Sequence, residues 1–83
     1  MRINGIEITQ ETIQATREWF AENARACIAG AESGEYFVND LSKYREGKRR
    51  CEREALNGDY DYSLTFVQRA LYIQTGECVP LLA

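Results

Sequence analysis

Between Tyr62 and Tyr72 the chain reads YSLTFVQRALY, a stretch whose single charge is Arg69. At helical spacing Leu64, Val67 and Leu71 fall on one face, and Phe66, Ala70 and Ile73 fall on the opposite one. A helix that is apolar on two sides is normally covered on both. The segment is therefore expected to form the central helix of a small bundle, with its neighbours packed around it.

The rest of the chain sets the size of that bundle. Its 83 residues allow one domain, residues 1–83, and leave no room for a second core. A domain of this size buries roughly 60–65% of the surface its unfolded chain exposes, so a homodimer would add burial that the monomer lacks. With 45% hydrophobic and 28% charged residues, the composition is that of a folded globular chain. The formal net charge of −3 creates no global field favouring nucleic acid or a membrane. No apolar run is long enough to span a bilayer, and MRINGIEIT lacks the apolar core of a secretory signal. A cytoplasmic location without membrane association is expected.

Punctuation along the chain marks the elements. Asn4-Gly5 is a favoured hairpin turn pair, flanked by Ile3 and Ile6, and predicts a short N-terminal β-hairpin or strand. Thr9 can cap a first helix over about 10–32, with Ile8 and Ile13 placed as a hydrophobic staple and Gly34 after its end. Ile13, Phe20, Ala24, Cys27 and Ala31 line its apolar face, with Ile28 at the edge. Trp19 points off that stripe and is expected to pack on the hairpin or the C-terminal tail, with an exposed contact as the alternative. Asn39 or Asp40 caps a second helix over about 40–57, which stops at Asn57-Gly58. Its apolar side is Leu41, Tyr44, Cys51 and Ala55, and Gly47 within it suggests a close helix crossing. Asp61 or Ser63 caps the third helix, about 62–75, and Gly76 follows it. Val79, Leu81 and Leu82 of the tail are expected to lie along the first strand or the first helix, with Pro80 keeping the chain extended. The fold class is mostly α: a three-helix bundle with a short N-terminal hairpin.

Two features offer contact surfaces. Six of the ten basic residues lie between Lys43 and Arg53. Opposite the apolar side, Lys43, Arg45, Arg49, Arg50 and Arg53 form a ridge that could meet phosphates or an acidic protein. Glu46 is spaced to pair with Arg49 and Arg50, which would turn part of the ridge into a solvated helix face. The turn Asp59-Tyr60-Asp61-Tyr62 is acidic and aromatic and could receive a basic partner. No helix-turn-helix spacing, zinc module or aromatic RNA-stacking motif accompanies the ridge.

Catalysis finds no support in the residue inventory. The chain has no histidine, no glycine-rich phosphate loop and no activated serine pattern, so no catalytic residue is assigned. Three dispersed cysteines, Cys27, Cys51 and Cys78, form no CxxC and no metal-ligand spacing. They read as small buried thiols of a reducing compartment, and no metal or cofactor is expected.

The segments SGEYFVNDLSKY (33–44) and TFVQRALYIQTGECVPLL (65–82) resemble small phage- or prophage-encoded bacterial proteins of uncharacterised function. The resemblance implies a bacterial cytoplasm, an accessory gene and macromolecular binding, and it transfers no site residue. The expected function is non-catalytic binding of a protein partner. The alternative is nucleic-acid binding through the basic face of the second helix.

Overall fold

In the computed structural model, which describes residues 1–79, the first strands are β1 (Arg2–Ile3) and β2 (Ile6–Glu7). They pair antiparallel with Ile3 opposite Ile6, and Asn4 and Gly5 turn the chain with φ of 52° and 78°. Both central positions of the turn are left-handed, as the Asn-Gly pair predicts. Three helices follow: α1 (Gln10–Ser33), α2 (Leu41–Asn57) and α3 (Leu64–Thr75). The expected three-helix fold with an N-terminal hairpin is the one observed. Residues 80–83, with the expected packing of Leu81 and Leu82, lie outside the described part.

Each helix begins on a side-chain cap. Thr9, Asp40 and Ser63 accept hydrogen bonds from the backbone N–H groups of Thr12, Lys43 and Phe66. Each helix also stops at a left-handed glycine: Gly34, Gly58 and Gly76. The staple predicted around Thr9 forms, since Ile8 and Ile13 are both buried in the core.

The expected centre of the bundle is corrected. α3 is covered on one side only, and that side straddles the two expected faces: Phe66 and Ala70 of one and Leu71 of the other are buried, whereas Tyr72 and Ile73 face outward and Leu64, at the first helical position, is 64% exposed. The element that touches both other helices is α1. At 24 residues it is about 36 Å long, twice the length of α3. Its N-terminal half packs on α3 and the hairpin, where Ile8, Ile13, Phe66, Ala70 and Leu71 form the core, joined by Ile3, Ile6 and Phe20. Its C-terminal half packs on α2. The molecule is accordingly elongated, 44 by 22 by 22 Å. The apolar pattern offered two faces of α3 for burial; packing against α1 covers the arc between them.

Small residues set the α1–α2 contact. Ala21, Ala24, Ile28 and Ala31 are buried on α1, and Ala55 is the buried residue of α2. Gly30 lies under the Tyr36 ring: a Cβ there would stand 2.7 Å from Tyr36 Cε1. The Tyr36 hydroxyl donates to the Cys27 carbonyl and lies 3.0 Å from the Tyr44 hydroxyl. Gly47, expected at a helix crossing, instead faces open space, with nothing within 4 Å of where its Cβ would be.

Candidate binding surfaces

α1 and α3 lie side by side, and between them runs a groove of about 770 Å³. Trp19, Phe20 and Asn23 line it from α1; Thr65, Arg69 and Tyr72 are among its α3 residues; Cys78 and Val79 line it from the segment after α3. Spacings of four (Trp19 to Asn23, Thr65 to Arg69) and three (Arg69 to Tyr72) put each set on one helix face. The Arg69 guanidinium carbon sits 4.0 Å from the Trp19 ring centroid and 5.2 Å from that of Tyr72. Trp19 in turn meets Phe20 edge-on at 5.0 Å, and Phe20 stacks on buried Phe66 at 5.9 Å. The groove wall is thus continuous with the hydrophobic core, which holds Trp19 in place while leaving it 37% exposed.

Arg69 differs from most arginines of the chain. Arg2, Arg17, Arg25, Arg45, Arg49 and Arg50 each reach a carboxylate. Arg69 is half-buried and has only rings as partners among the described residues. None of the described residues lining its groove is acidic. Cation–π contact offsets part of the cost of desolvating the guanidinium, and none of its N–H donors has an acceptor among the described residues. Trp19 was expected to meet the hairpin or the tail. Its main partner is Arg69, with tail residues Cys78 and Val79 sharing the groove. The pattern that could have found the site is Arg69, the sole charge of α3, three residues before Tyr72.

The ridge of α2 divides. Arg45 is drawn to Glu32 of α1 (2.9 Å), Arg49 to Glu52 (3.2 Å) and Arg50 to Glu54 (3.6 Å), rather than to Glu46. Lys43 and Arg53 are exposed and have no ion pair among the described residues. Lys43, Glu46, Gly47, Arg50 and Arg53 line a shallow groove of about 350 Å³, hollowed where Gly47 has no side chain. Arg45 and Arg49 lie apart from it, tied into the α1–α2 contact through Glu32 and Glu52. Glu52 also accepts from Arg25, and this hydrogen bond, opposed by partial burial and reinforced by Arg49, holds its carboxyl below the usual range.

The acidic turn is not an open contact. Asp61 is buried, and both its oxygens accept from Arg17, Oδ1 from Nε at 3.1 Å and Oδ2 from Nη2. Tyr60 donates to Glu54 Oε2 at 2.6 Å, a bond that together with burial raises the phenol's pKa. Asp61 and Tyr60 therefore serve the fold, because a carboxylate taken from water needs a cation and a half-buried phenol needs an acceptor. Asp59 and Tyr62 remain exposed. Ser63 takes the capping role that Asp61 could have filled.

The cysteines also split. Cys27 and Cys51 are half-buried on one pocket of about 370 Å³ between α1 and α2, whereas Cys78 is exposed. The expectation of three buried thiols is met in full by none of them: two are half-buried, and Cys78, which follows the end of α3, is exposed. No helix among the described residues is long and apolar enough to cross a membrane.

No protein-family model, curated protein or solved structure matches this chain.

Proposed function

We propose that this protein is a small non-catalytic accessory protein of phage or prophage type that acts by binding another protein. The phage-type part rests on the resemblance of segments 33–44 and 65–82. The binding part is carried by one observation: a half-buried Arg69 held against Trp19 and Tyr72 with no carboxylate partner among the described residues. Trp, Tyr and Arg are the side chains that most often dominate interface energies, and here all three meet in one groove set on a packed wall. The test is affinity capture from nuclease-treated bacterial lysate, comparing the wild type with Trp19→Ala and Arg69→Met. A protein retained by the wild type and lost by both variants, with their helicity unchanged, supports the reading. Identical retention by all three forms overturns it.

The second reading is nucleic-acid binding through the outer groove of α2, favoured by Lys43 and Arg53, which stand exposed without carboxylate partners among the described residues. It predicts salt-dependent retention of DNA or RNA that is abolished by Lys43→Glu, Arg50→Glu and Arg53→Glu together. Arg45 and Arg49 are left intact in that test, because Arg45 joins the helices and Arg49 supports Glu52. Absence of retention at low ionic strength rejects this reading.

A further inference from the structure

We infer that the partner segment entering the Trp19–Arg69–Tyr72 groove carries an Asp or Glu side chain beside an apolar one. The inference rests on the protein-binding reading and adds the chemistry of the occupant.

Charge complementarity carries the argument. Of the arginines without a carboxylate among the described residues, Arg53 is exposed to water, and Arg69 is half-buried. Water hydrates the first. The second has its guanidinium carbon over two rings, 4.0 and 5.2 Å away, and its N–H donors have no acceptor among the described residues, which leaves them for a ligand. A planar fork matches the two oxygens of a carboxylate or of a phosphate. The groove decides between them. Among the described residues it offers one cation and no second basic residue, alongside Phe20, Tyr72 and Val79. A single negative charge is balanced there; a phosphate dianion is not, and a nucleic-acid backbone would call for several cations. The apolar wall leaves room next to the carboxylate for a leucine- or phenylalanine-sized neighbour, which would cover Trp19.

The chain contains a single tryptophan, and it stands in the groove, so its fluorescence reports occupancy directly. The probes are three matched sets of capped octapeptides, each holding two Leu or Phe residues: one set with Asp or Glu, one with Asn or Gln, one with Lys or Arg. Peptides from the first set are expected to be retained and to shift Trp19 emission, about ten- to hundredfold more tightly than their amide counterparts, the range of a charge-assisted hydrogen-bond pair. Arg69→Met should remove that difference. Arg69→Lys, which keeps the charge and loses the fork, should keep part of it and serves if the Met variant does not fold. Equal binding of the acid and amide sets overturns the carboxylate inference and leaves the protein-binding reading standing. Preference for the basic set overturns it as well. Binding of none of the sets, together with unchanged lysate capture by Arg69→Met, sinks both.

Discussion

Arg17 of α1 and Asp61 of the α2–α3 turn meet through two parallel hydrogen bonds, with the carboxylate almost wholly removed from water. The pair fastens the turn to the middle of the long helix. Gly58 makes it possible, since a Cβ at that left-handed position would stand 2.8 Å from Arg17 Nη2. Asp61→Asn should therefore lower stability by about 1.5–3 kcal/mol, the range for hydrogen bonds to charged groups. Asp59→Asn, two residues away and exposed, should stay within about 0.5 kcal/mol of wild type. Urea unfolding followed by circular dichroism measures both.

Position along α3, not helix face, separates two leucines of the same helix. Leu71 is fully buried and Leu64 is 64% exposed at the first helical position. Leu71→Asp places an unpaired charge in the core and should cost more than about 4 kcal/mol, enough to unfold a domain of this size. Leu64→Asp should be tolerated within about 0.5 kcal/mol, helped by the helix dipole. If thermal melts show both variants equally unfolded, the first turn of α3 is covered as fully as its middle.

The two glycines inside helices should respond in opposite ways to alanine. Gly47→Ala meets nothing and gains helix propensity, raising stability by about 0.5–1 kcal/mol. Gly30→Ala must push the Tyr36 ring away from Cys27 and Tyr44, and the lost hydrogen bonds, about 0.5–1.5 kcal/mol each, cancel the same gain. Chemical denaturation should place the Gly47 variant above wild type and the Gly30 variant at or below it.

Acid should loosen the α1–α2 contact through Glu52. Its carboxyl is held below the usual range by Arg25 and then Arg49. A carboxyl whose folded pKa is depressed contributes stability that is complete above its unfolded value, about 4.3, and is lost as pH falls through the lower folded value. The urea midpoint should thus decline from about pH 5 downward. Glu52→Gln should be less stable than wild type at pH 7 and should show a shallower acid decline. Parallel declines in the two proteins would remove Glu52 as a cause.

Local chemistry determined much of this protein. The Asn4-Gly5 turn, the caps at Thr9, Asp40 and Ser63, and the glycines after each helix act within a few residues, so their signals are complete in the chain. The extent of the helices and the mostly α class follow from them. What joins residues far apart was decided only by the tertiary structure. The ridge at 43–53 was legible as charge, but whether a charge is free depends on carboxylates such as Glu32 that no spacing rule places beside it. Asp61 looked like an open acid until Arg17, 44 residues earlier, was seen to hold it. The Trp19–Arg69 contact spans two helices whose faces were assigned separately. The apolar pattern of Tyr62–Tyr72 stated that two faces could be buried; the placement of α3 against α1 decided that Phe66, Ala70 and Leu71, drawn from both, were covered while Ile73 was not.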